Sequence, residues 1–155
     1  KESILLAVFD RMLATMIAEA VATAARTGAP APGTGRAWEC VRHGLGQVLS
    51  GQHPRPDDQL PALIHTFLAQ VGHRDDFRRK LAAADAGWRA HIAADIAASV
   101  PNPPVPPPVL ASVVMALFQG LTQQLLVNPE AFDRGQMEAA LHAMLAPLFR
   151  TPPPG

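Results

Sequence analysis

Residues 108–127, PVLASVVMALFQGLTQQLLV, are apolar on nearly every side of a helix, and no other stretch constrains the fold as much. Val109, Leu110, Val113, Val114, Met115, Leu117, Phe118, Leu121, Leu125 and Leu126 leave no broad polar face. A helix of that kind must be covered on two sides. Gly120 sits in its middle, where glycine costs about 1 kcal/mol relative to alanine, so close approach of another helix is expected there. After NPEAF, the run Asp133, Arg134, Gly135, Gln136 has capping-box spacing and starts a last helix with Met137, Leu141, Met144, Leu145 and Leu148 inward. Two adjacent helices with surplus apolar surface predict a twofold homodimer that meets as a four-helix bundle. Its expected contacts are Val113, Leu117, Gly120, Leu121 and Gln124 on the first helix, with Leu141, Met144, Leu145 and Leu148 on the second. The central core helix of a monomer would show the same pattern.

The rest of the chain reads as helix divided by sharp punctuation, without a convincing strand or an internal repeat. Residues 1–26 place Ile4, Leu5, Val8, Phe9, Met12, Met16, Ile17 and Val21 on one face before the breaker TGAPAPGTG. A second helix is predicted over about 36–49, with Trp38, Val41, Leu45 and Leu49 on a stripe that Gly44 and Gly46 weaken. A third follows Asp57 and Asp58 and carries Leu60, Leu63, Ile64, Phe67, Leu68 and Val71. A fourth starts at Asp75 or Asp76 and runs to about Ser99. Its expected buried stripe is Phe77, Leu81, Ala84, Trp88, Ile92 and Ile96, with Arg78, Arg79, Asp85 and Arg89 on the other side. PNPPVPPP at 101–108 holds six prolines and reads as a stiff polyproline spacer. Pro147 should kink or end the last helix, and TPPPG closes the chain as a frayed tail. The expectation is an all-α, six-helix domain covering residues 1–155.

Composition narrows the function. A chain of 155 residues makes one domain, burying roughly two-thirds of its unfolded surface. With 13 basic and 13 acidic side chains and 48% hydrophobic residues, neither disorder nor a general electrostatic grip on nucleic acid is expected. Lys1 and Lys80 are the only lysines; that scarcity, beside so much Ala, Pro and Arg, points to GC-rich coding DNA and a bacterial source. Cys40 is the single cysteine, so an intrachain disulfide is impossible and a reducing, cytoplasmic setting fits. The longest proline-free apolar run, Val109 to Phe118, is shorter than the roughly 18 residues of a membrane span, so no membrane partner is expected.

Three stretches resemble the TetR (tetracycline-repressor) family of bacterial transcription regulators. KESILLAVFDRML is similar to the helix that follows the family's DNA-binding head. DDFRRKLAAADAGWRAHIAADIA resembles its long central helix, and LASVVMALFQGLTQQLLVNPEAFD its penultimate helix, which runs into an Asn-Pro turn. This chain departs at Phe118, Gln119 and Gly120, where an acidic residue commonly precedes the glycine, and in its proline-rich connector. The resemblance implies a helix-turn-helix head of roughly 45 residues upstream of Lys1, through which operator DNA is bound. It also implies that an effector held between the helices moves the first of them and so changes the spacing of two DNA heads. Lys1 matches a position that touches a DNA phosphate in such proteins; an ordinary solvated terminal lysine is the plain alternative.

Catalytic and metal chemistry find little to work with. Cys40 and His43 share a helix face, yet no second half of a site is spaced to complete it, so a buried thiol beside a histidine is the simpler reading. His91 and Asp95, four apart, read as an ion pair. No Gly-rich phosphate loop, Gly-x-Ser-x-Gly or His-Glu-x-x-His occurs, and Ser3, Ser50, Ser99 and Ser112 lie in no nucleophile motif. No catalytic residue, metal or cofactor is therefore assigned, and the chain is not expected to be an enzyme.

Met12, Met16, Trp38, Phe67, Trp88, His91, Met115, Phe118 and Gln119 come from five helices that should converge, and they combine soft apolar bulk with a few polar handles. They are the expected lining of an effector cavity, and they favour a small apolar or aromatic ligand. A stand-alone helical interaction module without DNA binding is the alternative reading.

Overall fold

The computed structural model describes residues 7, 8, 10, 11, 14, 15, 36–50, 68, 69 and 72–149. All regular structure among them is helical. Four helices are delimited: α1 (Ala37–Leu49), α2 (Asp75–Ser99), α3 (Pro107–Val127) and α4 (Arg134–Leu145), the last running into a 3₁₀ turn at Ala146–Phe149. The described residues of 7–15 are also helical, as are Leu68 and Ala69. The breaker at 27–35, most of the third predicted helix and the TPPPG tail lie outside the described residues.

Punctuation sets the ends of these helices. Val100 and Asn128 each precede a proline, which pushes them out of the helical region, and both are extended (φ −122° and −144°). Pro107 and Pro108 occupy the first turn of α3, where no amide partner is needed. Asp133 caps α4 by accepting from the Gln136 amide at 2.8 Å. The α-helix stops at Leu145, and Pro147 lies within the 3₁₀ turn. At the start of α2 the two aspartates fall inside the first turn, and the cap position belongs to Arg74, which offers no side-chain acceptor. Asp76 still accepts from the Phe77 amide at 3.0 Å and grips the Arg74 guanidinium at 2.6 and 3.1 Å. That hydrogen bond from Arg74 leads in holding the Asp76 carboxyl below the usual carboxylate range.

α2 and α3 form an antiparallel hairpin. Its connector is a folded turn rather than an extended polyproline spacer, because Asn102 adopts left-handed backbone (φ 52°), a conformation asparagine tolerates. Val100 is consequently buried and Val105 packs on the core. α1 lies across the hairpin and meets α4 and the 3₁₀ turn on its other side. The core comprises Val41, Leu45, Val48 and Leu49 of α1, Ile96 of α2, Leu110, Ala111, Val114, Leu121 and Leu125 of α3, and Leu141, Leu145 and Phe149 at the end. By length and composition α3 would suffice to cross a membrane, which the shorter run 109–118 did not reveal. Here it is the middle helix, with one arc buried against α1 and α2.

α2 buries or half-buries Phe77, Leu81, Ala84, Ile92 and Ile96 of the expected stripe and departs from it at Trp88, Asp85 and Arg89. Asp85, Arg89, Ile92 and Ala93 are half-buried and Asp95 and Ile96 fully buried, whereas Trp88 stays 37% exposed. At 3.6 residues per turn Arg89 lies about 20° around the helix from Ile96, and Trp88 about 80°. The contact with α3 through Ile92 and Ile96 thus turns Arg89 inward and leaves Trp88 at the rim.

Candidate functional site

The first turn of α1 is held by α2. Arg36 supplies no side-chain cap, and the Ala37 amide donates instead to the Ser99 hydroxyl at 3.0 Å, which itself donates to the Asp95 carbonyl at 2.6 Å. The Asp95 side chain, 6% exposed, faces Cys40 from one turn earlier. Burial, then the charge and hydrogen bond of Asp95, push the Cys40 thiol above its usual range. A thiol so placed is a poor nucleophile and a poor metal ligand. His43 points elsewhere, with its Nε2 2.8 Å from the Gln47 side-chain amide. His91 is exposed, and among the described residues no three His, Cys, Asp or Glu side chains converge as a metal site.

Further along α1, the Phe118 ring of α3 lies on Gly44. A Cβ at position 44 would stand 2.6 Å from the ring's Cζ, closer than real side chains approach. The glycine that weakens α1 as a helix therefore admits α3 as a neighbour.

The expected effector-lining residues scatter. Met12, Met16 and Phe67 lie outside the described residues, as does Lys1. Trp38 packs edge-on against His142 (centroids 5.3 Å apart) and on Phe149 (5.4 Å), tying α1 to the end of the chain. The cavity beside it, bounded by Leu45, Leu49, Glu138 and Leu141, holds about 20 Å³, room for one water. Phe118 and Met115 are half-buried, whereas Trp88, His91 and Gln119 are exposed.

The predicted dimer contacts divide more cleanly. Leu121, Leu141 and Leu145 are already covered by the chain's own core, and Leu117 and Leu148 are partly so. Val113, Gln124 and Met144 face outward. Val109, Val113, Ala116, Gly120 and Val127 recur at intervals of three, four and seven, so they form one outward stripe along α3. Val109 is 52% exposed, Val127 78% and Met144 of α4 64%. Among the described residues, nothing beyond its own helix lies within 4 Å of a Cβ built on Gly120, which is itself half-buried.

A half-covered apolar helix beside a capped final helix, with the α2–α3 hairpin behind, is the element order that the sequence resemblance implied. Comparison with family models decides the matter: residues 39–150, well over half the chain, match the description "BetI-type transcriptional repressor, C-terminal". The chain belongs to the TetR family. No curated protein and no solved structure matched it. The matched TetR-family region contains all four delimited helices except the first two residues of α1. It is the C-terminal domain of a transcriptional regulator, and the family is regulatory rather than enzymatic.

Proposed function

We propose that residues 1–155 are the effector-binding and dimerisation domain of a ligand-responsive TetR-family repressor that acts in the bacterial cytoplasm. The outward apolar stripe of α3 is the observation that carries this reading: Val109, Val113, Ala116 and Val127 are exposed around a half-buried Gly120, in a chain matched to a repressor's C-terminal region. A second copy related by a twofold axis lays its α3 and α4 against the same surfaces, with Val113, Leu117, Gly120, Gln124 and Met144 at the seam. Leu121, Leu141, Leu145 and Leu148 back the seam from within. Because the matched description is of a C-terminal part, operator DNA is assigned to an N-terminal helix-turn-helix unit.

The effector in this reading is small and apolar or aromatic, and it binds one arrangement of the helices more tightly than the other. Met115 and Phe118, half-buried on α3, contribute to its site in this reading. A ligand that binds only the folded protein raises its melting temperature by mass action. Screening apolar and aromatic compounds by thermal shift, then retesting hits on Met115→Ala and Phe118→Leu, tests the assignment. Hits whose shifts disappear in these variants support it; hits indifferent to both place the ligand elsewhere.

A further inference from the structure

Arg89 is a residue of the inward arc of α2 with a buried donor that the packing does not use. It lies on the same side of the helix as Ile92 and Ile96, and its Nε is fully buried without a hydrogen-bond acceptor. The ion pairs among the described residues are Arg36 with Glu39, Arg74 with Asp76, Arg78 with Asp75, and Lys80 with Asp10; Arg89 is in none of them. Asp85, one turn earlier and also half-buried, has the spacing for a helical pair but does not make it. A desolvated guanidinium donor without an acceptor is expensive, and native proteins keep few such groups. Arginine is also the side chain whose planar fork fits a carboxylate, sulfonate or phosphate, and low-polarity surroundings strengthen that bond.

We propose that Arg89 recognises the anionic head of the effector, so that the ligand class is an apolar or aromatic body carrying one negative group. The proposal rests on the effector reading above and sharpens it from any apolar compound to an amphipathic anion. Asp85 then sets specificity by disfavouring a second negative charge.

The test uses two fluorescent probes with one aromatic skeleton, 8-anilino-1-naphthalenesulfonate and the uncharged N-phenyl-1-naphthylamine. They are titrated into the wild-type chain, Arg89→Met and Arg89→Lys, and each variant's melting temperature is recorded. The expected result is that the wild type prefers the sulfonate, that Arg89→Met weakens sulfonate binding about tenfold or more while leaving the neutral probe unchanged, and that Arg89→Lys keeps part of the preference. Arg89→Met should melt no lower than the wild type, because it removes a donor that the fold leaves unpaired. Equal affinity for both probes, unaltered by Arg89→Met, would overturn the anion assignment and leave the effector reading intact. A large fall in melting temperature in Arg89→Met would overturn it too, by showing that the guanidinium is structural. Failure of both probes to bind the wild-type chain would remove the effector reading, and this proposal with it.

Discussion

Gly44 and Gly120 each interrupt a helix at a point where alanine would favour it, yet their surroundings are opposite. At Gly44 the missing methyl is replaced by the Phe118 ring of the same chain. At Gly120 no described residue of another element comes near, and the glycine lies on a stripe between the exposed Ala116 and Val127. The first glycine fixes how α1 packs on α3. The second leaves room on a face whose neighbours Val113, Ala116 and Val127 are exposed. Reading both as helix-weakening residues misses that one serves the fold and the other serves an association.

The contrast is broken most forcefully on α3, which contributes to both regions. Leu110 is fully buried and Val113, three residues on, is 42% exposed. Leu110→Ala should cost about 2–5 kcal/mol in urea unfolding, whereas Val113→Ala should leave the unfolding of the separated chain nearly unchanged. Comparable losses at both sites would mean that α3 is not divided into an inner and an outer face.

Gly44→Ala comes next, since the added methyl forces the Phe118 ring to move. A destabilisation of about 1–3 kcal/mol is expected. Combined with Phe118→Leu, the loss should be much smaller than the sum of the two, and an additive double mutant would deny the contact.

Ser99→Ala removes the hydroxyl that caps α1 from α2. The expected loss is about 0.5–2 kcal/mol, the usual value of a helix cap, although the acceptor comes from another helix. Amide exchange should quicken at the start of α1 before it does so in α3.

The smallest effect concerns Cys40. Burial and Asp95 favour the protonated thiol in the folded chain, so iodoacetamide should react slowly at pH 8 and faster only as the pH climbs beyond the ordinary thiol range. The folded pKa is raised, so the stabilisation is fully present below the unfolded thiol's pKa and is lost as pH rises through the folded one. Asp95→Asn should speed alkylation at a given pH. An unchanged rate would remove Asp95 from contact with the thiol.

Much of this architecture was legible in the residues. The apolar excess over 108–127, the Asp133 cap and the proline-bounded turns depend on local chemistry, so composition and spacing display them. The partners do not. That Gly44 waits for Phe118, or that Ser99 caps a helix 62 residues away in sequence, depends on which helices meet and at what angle. α2 illustrates the limit best: a stripe counted from Phe77 places Trp88 inside and Arg89 outside, yet the contact through Ile92 and Ile96 reverses the two. Periodicity defines the relative phase of positions along a helix, but the neighbouring helix decides which phase faces in. Trp38, expected beside an effector, is drawn instead to His142 and Phe149 for the same reason.

The central claim is that the outward stripe of α3 meets a second copy of the same stripe. Sedimentation equilibrium over a micromolar range, on the wild-type chain and Gly120→Leu, tests it most directly. The expected result is a wild-type dimer and a Gly120→Leu chain that dissociates to monomer at the same concentrations, while melting no lower once separated, because no described residue of another element lies near position 120. A wild-type chain that sediments as a monomer throughout, or a Gly120→Leu dimer as tight as the wild type, would contradict it.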